Sequence, residues 1–314
     1  MTADAINNKI SHANFYNHTL HNNPRPLYLQ SEPYVVFLKE FNNFTSVEYS
    51  VVIPIFNQEA IIKDNIVSVL NNIEGIFELI IILDNCVDQT ENIITEFFNV
   101  YNNQHNLVRV IIIKQETPIF ETSCDNIGFV ISSGKYVLEI QADMEMCQYG
   151  FNTSLARGFK QYEDIIGISG RCTHALQGAY PGVGKLGMLV NEPLQTQLCQ
   201  NTLYMYGTCN RGPLLLDNKK LKYMGYLDEQ NFYLDDSDHD FFARAYNNHK
   251  WKCGYIPIEF KAPVETGSIR KELISSIKQL NEATKELRRI RSNGGFLANV
   301  KNNLFIPIEV RKLK

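Results

Sequence analysis

Lys135-Tyr-Val-Leu-Glu-Ile-Gln-Ala-Asp-Met-Glu-Met146 is the stretch on which the fold of this chain turns. Tyr136 to Ile140 is short and mostly apolar, as a buried strand is. It ends on Gln141, followed by Asp143 and Glu145, two carboxylates spaced i, i+2. In open α/β sheets, ligands bind just beyond the carboxyl ends of the strands. Two acids at such a place can hold a hard divalent cation, which can hold phosphate oxygens in turn. A solvated turn carrying two acids is the competing account of the same residues.

Working outward, strand and helix patterns alternate. Tyr49 to Ile55 reads as a strand that ends at Pro54, which removes a ladder donor. Asn57, Gln58 and Glu59 open a helix whose apolar residues Ile62, Ile66, Val69, Leu70 and Ile73 share one face. Phe77 to Leu83 is a second buried strand, closed by Asp84 and Asn85. Asp88 and Thr90 stand where helix N-caps belong, and Ile93, Ile94, Phe97 and Phe98 form the next stripe. Val108 to Ile113 is a third strand. Asn126 to Ser133 reads as a short helix closed by Gly134. Phe151 to Phe159 gives a further helix, and Ile165 to Ile168, Leu214 to Leu216 and Gly254 to Phe260 further strands. Such alternation is the pattern of a mostly parallel sheet with helices on both faces.

Three segments stand apart. Met1 to Glu48 is an N-terminal extension, polar at its start, with an apolar run from Tyr34 to Leu38 that is either a strand or an amphipathic patch. Arg171 to Arg211 loosens into Gly-rich loops. Ser268 to Asn293 reads as a long amphipathic helix stopped by Gly294 and Gly295. The expected division is therefore 1–48 as extension, 49–268 as the main domain with halves 49–170 and 171–268, and 269–314 as helix and tail.

Composition narrows the function classes. The chain has 314 residues, 44% hydrophobic and 20% charged, with net charge −4. That is ordinary for a globular protein and offers no basic face for nucleic acid. Seven cysteines, an odd number with no CxxC pair, speak against a disulfide framework or a zinc site and for reduced thiols in the cytoplasm. Met1 to Asn23 has no apolar core of a signal peptide, and no window is long enough to span a bilayer. The sequons at Asn17, Asn43 and Asn152 are then expected to stay unmodified.

No GxGxxG or P-loop follows a strand, and no GxSxG or HExxH occurs. Acids at strand ends remain: Glu59, Asp84, Asp143, Glu145 and the Asp235 to Asp240 cluster. Five segments resemble glycosyltransferase family 2. They are Val-Val-Ile-Pro-Ile-Phe-Asn-Gln-Glu (51–59), Ile-Ile-Ile-Leu-Asp-Asn-Cys-Val-Asp-Gln-Thr (80–90), Asn-Ile-Gly (126–128), Ser-Gly-Lys-Tyr-Val-Leu-Glu-Ile-Gln-Ala-Asp (133–143), and the stretch from Gly225 to Arg244. They come in the family's order and span roughly Tyr49 to Phe260. The resemblance implies a Rossmann-like GT-A fold and a transferase that moves a sugar from a nucleotide-diphosphate donor, UDP-linked first, to an acceptor hydroxyl with inversion. The acceptor would be a glycan, a protein or a lipid-linked group, and the cofactor a divalent metal, Mn²⁺ or Mg²⁺.

The resemblance also assigns roles. Pro54, Asn57, Glu59, Asp84 and Asn126 would line the nucleotide, because carboxylates accept from ribose hydroxyls and base N–H groups. Asp84 can equally cap a helix. Where the family shows Asp-x-Asp, this chain has Gln141-Ala142-Asp143, so Asp143 keeps the metal position and Gln141 offers an uncharged acceptor. Glu145 is the expected second ligand. The segment Asp236-Ser237-Asp238-His239-Asp240 with Arg244 matches Glu-Asp-x-Asp-x-x-x-Arg, with Ser237 in place of Glu. Asp238 then falls at the catalytic base, which must take the acceptor's proton, with Asp236 as the fallback; an acidic helix N-terminus accounts for the same residues. Arg211 can meet the donor phosphates as a bidentate donor. His174 and His239 can ligate metal, although a lone His is more often structural, and no His occurs in Pro263 to Ser268, where many relatives have one. Trp251, the one Trp, can stack on a sugar or fill the core. Two other classes stay open: a nucleotidyltransferase, which would need a basic Gly-rich loop after the first strand, and a non-catalytic nucleotide-sugar or glycan binder, which the Gln141 and Ser237 departures permit.

Overall fold

The computed structural model describes residues 2–11, 32–102, 106–171, 201–229, 232, 237–262, 275, 278, 282 and 309–314. The chain divides into two compact units. The first holds Met1–Lys63, Gly75–Ala142 and Asn218–Ser237; the second holds Asp64–Glu74, Asp143–Asp217 and Asp238–Lys314.

The first unit is built on strands β1 (Tyr34–Glu40), β2 (Tyr49–Ile55), β3 (Phe77–Asp84), β4 (Leu107–Gln115) and β5 (Tyr136–Glu139), which lie in the order β1-β4-β3-β2-β5. β2 runs parallel to β3 and β5, and β3 parallel to β4; β1 is antiparallel to β4. Every residue of β2 and β3 is buried, which explains their unbroken apolar sequences. Chain order runs outward from β2 through β3 to β4, then returns to place β5 on β2's other side. The reversal between β2 and β5 is a topological switch point, where ligands of open α/β sheets bind. Pairing of β2 with β5 stops at Val52–Glu139, and Ile140 N–H donates to Val52 O. Pro54, two residues on, points its missing donor the same way, so the ladder stops there and the strand ends part.

Helices α1 (Ala3–Ser11), α3 (Thr90–Val100), α4 (Phe120–Ile131) and α6 (Asn218–Met224) belong to this unit. Ile6 and Ile10 of α1 are buried. The polar sequence of the extension thus hides a helix, because only two apolar residues face inward. Tyr34 to Leu38 resolves as the edge strand β1. One ion pair is buried in the core: Glu78 Oε2 lies 2.6 Å from Arg109 Nη2, and Glu78 also accepts from Ser50 and Ser133 hydroxyls at 2.5 and 2.9 Å. A buried charge survives only when paired and hydrogen-bonded in this way.

The second unit orders its strands β9 (Leu214–Asp217), β7 (Ile165–Ser169), β10 (Lys252–Tyr255), β8 (Thr202–Tyr206) and β12 (Glu309–Lys312). Only β7 and β10 are parallel; β7–β9, β8–β10 and β8–β12 are antiparallel. A two-stranded ribbon pairs β6 (Glu145–Met146) with β11 (Phe260–Lys261). Helix α5 (Phe151–Gln161) packs so closely on β7 that a Cβ at Gly158 would lie 2.2 Å from Ile168 Cδ1. Helix α7 (Ser237–His249) sets Phe242 over Gly167, where a Cβ would come within 2.6 Å of its ring. Most of α2 (Ile62–Asn72) belongs here and fixes the chain after Asp143. Asn65 Nδ2 donates to Met144 O, Met146 N–H donates to Ser68 Oγ at 2.9 Å, and Asn72 Nδ2 donates to Met146 O at 2.9 Å. Strand β8, in the stretch that reads as loop, and strand β12 have no clear sequence pattern. Of the long helix expected over Ser268 to Asn293, only Ser275, Lys278 and Glu282 are described, each helical and exposed.

Candidate active site

The loops beyond β2 and β3 are laced together in the first unit. Asn57, with φ 47°, turns the chain out of β2, and its Oδ1 accepts Val87 N–H at 2.9 Å. Glu59 Oε2 accepts Gln89 N–H at 2.9 Å, and Glu59 N–H donates to Asp88 Oδ2 at 3.0 Å. Thr90 Oγ1 accepts Gln58 N–H at 2.8 Å, while Asp88 Oδ1 accepts Thr90 N–H at 3.0 Å. Asn57 and Glu59 are therefore held by neighbouring backbone, with Glu59 exposed.

Asp84 ends β3 and is 2% exposed. Its two oxygens accept Ile119 N–H at 2.7 Å and Phe120 N–H at 2.9 Å. It caps α4, the second helix after it. Burial pushes its carboxyl up to about 7, against the two backbone donors that favour the charged form. Asn126 is wholly buried: Nδ2 donates to Leu227 O at 2.9 Å and Glu229 Oε2 at 3.0 Å, and Oδ1 accepts Leu227 N–H at 3.0 Å. Its amide clamps the Leu227–Glu229 segment onto α4. Gln141 donates to Glu121 Oε1 at 2.8 Å, and Ala142 is buried beside it.

Sequence reading missed one cluster here. Glu121, Asp125 and Glu139 bring one carboxylate oxygen each within 4.8 Å of one another. Among the described residues it is the one group of three or more such side chains that could share a metal ion. Its members sit on α4 and β5, 14 and 18 residues apart along different elements, so no local motif announces them. Carboxylates this close repel one another, and a cation among them would offset that repulsion.

In the second unit, Asp143 follows the sheet as the half-buried residue fixed through Met144 by α2. Glu145 lies on the β6–β11 ribbon, its carboxylate 3.9 Å from Lys261 Nζ. That ammonium offsets part of the charge Glu145 can offer a cation. A carboxylate with donor phosphates and water is a fitting shell for Mn²⁺ or Mg²⁺. Asp238 stands in the first turn of α7 and is 9% exposed. Its Oδ2 accepts Arg211 N–H at 3.2 Å and its Oδ1 accepts His239 N–H at 2.9 Å. The structure thus brings Arg211 to Asp238, although through the Arg211 backbone. Arg171 joins them, donating from Nη1 to Arg211 O at 3.3 Å; both arginines are buried. Asp240 is held by Arg244 at 2.8 Å. Asp236 and His174 lie outside the described residues.

Residues 50–173 match the model of glycosyl transferase family 2. Solved structures share the fold of this chain. TarS 1–349 of S. aureus in complex with UDP-GlcNAc has a TM-score of 0.54 at 16% identity, over 79% of this chain and 67% of that one. A second structure of S. aureus TarS 1–349 has a TM-score of 0.50 at 14% identity, over 79% of this chain and 66% of that one. GalNAc-T7 with UDP, GalNAc and Mn²⁺ has a TM-score of 0.52 at 12% identity, over 70% of this chain and 44% of that one. No curated protein sequence matches. No described helix is long and apolar enough to cross a membrane.

Proposed function

We propose that this protein transfers a sugar from a UDP-linked donor to an acceptor hydroxyl by a single inverting displacement. The observation that carries this is the strand reversal between β2 and β5 in a family 2 domain, with Asn57, Glu59 and Gln141 just past the parting strand ends. The complexes of TarS with UDP-GlcNAc and of GalNAc-T7 with UDP, GalNAc and Mn²⁺ support the donor class and the metal.

Glu59, Asn57 and Gln141 would bind the nucleoside, and Arg211 the diphosphate. Asp143 would hold the divalent metal, with Glu145 a weaker second ligand. When bound, the metal supplies Lewis-acid neutralisation of the diphosphate charge. Asp238 is the base: it takes the acceptor hydroxyl proton as that oxygen bonds to the anomeric carbon and the carbon–oxygen bond to the diphosphate breaks. The Arg211 and His239 N–H groups aim its carboxylate. A cytoplasmic location, with a glycan, protein or lipid-linked acceptor, belongs to the same proposal. The test is a thermal-shift screen with Mn²⁺ against UDP-, GDP- and dTDP-sugars. Stabilisation should grow with ligand concentration for UDP-sugars, and Asp143→Ala should remove its metal-dependent part. Equal response to all three nucleotides, or none, overturns the donor assignment.

A further inference from the structure

We propose that the rim of the first unit where its parallel strands begin is a docking surface for an anionic lipid bilayer, carried by Lys9, Lys135, Lys219 and Lys222. Strands β2, β3 and β5 run parallel and start at this rim with Tyr49, Phe77 and Tyr136. Helix α1 packs on α4 and β1, and α6 is fastened to the residues just before β5. Asn218 N–H donates to Lys135 O at 3.2 Å, Asn218 Nδ2 to Gly134 O at 2.6 Å, and Lys222 Nζ to Ser132 O at 3.2 Å. Desolvation first, and then the Lys222 ammonium, lower the Lys9 ammonium from its ordinary value, so α1 brings its lysine within electrostatic reach of α6.

The charge at this rim is unbalanced. All four lysines are exposed, and none of them makes an ion pair among the described residues. Lys135 Nζ lies over the Tyr136 ring, 4.9 Å from its centroid. The carboxylate that faces Lys9 and Lys222 is Glu78, which is buried and already tied to Arg109 at 2.6 Å. Glu48 is half-buried and turned to Gly75, where a Cβ would meet its Oε2 at 2.8 Å. Asp4 falls on a different face of α1 from Lys9. A chain of net charge −4 thus gathers four lysines without carboxylate partners at one place. Basic residues collected in this way are drawn to the negative surface of an anionic leaflet. Tyr223 stands beside Lys222 on α6 and is 72% exposed; a tyrosine so placed settles at the headgroup level.

Other polyanions fit less well. Nucleic acid is met by guanidinium forks, and the guanidinium here, Arg109, is spent on Glu78. An acidic protein would need a desolvated apolar centre, which one tyrosine does not make. Lipid phosphates are a mobile array that long lysine stems can meet without fixed geometry. Strand β2 has seven residues and so is about 23 Å long. Docking at its start therefore leaves Asn57 and Glu59, beyond its end, open to a nucleotide, and the proposal stands without the catalytic one.

The full chain is co-sedimented with vesicles of phosphatidylcholine alone, or with one third phosphatidylglycerol, at about 0.05 and 0.5 M salt. Binding is expected to the mixed vesicles only, and to weaken in high salt. Lys135→Gln and Lys219→Gln, exposed positions that tolerate the change, should each lower partitioning about fivefold. All four lysines changed to glutamine together should lower it at least a hundredfold. UDP-sugar turnover without vesicles should stay unchanged in the single variants, so either proposal can fail while the other stands. No binding to the mixed vesicles in low salt overturns the docking surface, as does equal binding to both vesicle types or unaltered partitioning in both single variants. Displacement from the vesicles by inorganic phosphate at matched ionic strength would reveal a discrete anion site instead. Tighter binding to duplex DNA than to the vesicles would reassign the rim to nucleic acid, and both results overturn the proposal.

Discussion

Asp84 Oδ2 accepts the backbone N–H of Phe120 at 2.9 Å, so α4 is capped from the end of a strand 36 residues earlier. Phe120 itself has φ 67°, a left-handed conformation that the cap helps to hold. Burial raises the Asp84 carboxyl from 3.8 to about 7. Between those values the folded chain holds a proton that the unfolded chain has released. The stability Asp84 contributes is therefore greatest below the unfolded value and declines as pH rises through about 7. Asp84→Asn should flatten the stability curve between about pH 5 and pH 8 in urea unfolding. At the acid end, where folded Asp84 is protonated, the amide of Asp84→Asn keeps the shape and one acceptor, so the substitution should cost less than about 1 kcal/mol there. An unchanged slope would assign the titration elsewhere.

Asn126 makes three buried hydrogen bonds to Leu227 and Glu229. Asn126→Ala strands a backbone N–H, a carbonyl and a carboxylate, and should cost about 2–4 kcal/mol. Asn126→Asp sets a second carboxylate against Glu229, so its penalty should be larger at about pH 8 than at about pH 5. Urea unfolding of both variants at the two pH values checks this.

Arg311 ties β12 to Asp164 with two bonds of 2.6 and 2.7 Å. Its guanidinium holds the Asp164 and Glu309 carboxyls down to about 2. Both carboxyls are lowered, so their stabilisation is present above the ordinary carboxylate range and is lost as pH falls through about 2. Both are also more than a third exposed, so water and salt screen the effect to about 1 kcal/mol. Arg311→Ala should make the C-terminal strand the first site of limited proteolysis, more so in low salt relative to the unaltered protein.

Cys86 is half-buried, and burial pushes its thiol up to about 12. At about pH 8 it should react with iodoacetamide at least tenfold more slowly than in the urea-unfolded chain. Mass spectrometry of its peptide against time reads the ratio, and equal rates would place Cys86 in an open site.

The first unit's strands were legible because β2 and β3 are buried on both faces and carry continuous apolar runs. Helix α4 was read as starting near Asn126, whereas it begins at Phe120. Its cap lies on Asp84, so no local signal marks the start. Strand β8 and the helix α1 escaped for a related reason: few of their residues need to be apolar, and their support comes from distant partners. For the candidate site, residues at strand ends could be named from pattern, since topology places strand ends at one rim. What each side chain touches could not be, because Asn126 meets Leu227 across about a hundred residues. The acidic cluster of Glu121, Asp125 and Glu139 and the backbone bond from Arg211 to Asp238 depend in the same way on contacts that only the folded chain makes.

Asp238 as proton acceptor is the centre of the functional account, and turnover of a UDP-sugar with Mn²⁺ tests it most directly. UDP release is followed for the unaltered protein and for Asp238→Asn, with donor binding measured by thermal shift in both. The account predicts a fall in turnover of about 10² to 10⁴ with donor stabilisation retained. Turnover by Asp238→Asn within a factor of a few of the unaltered protein would contradict it.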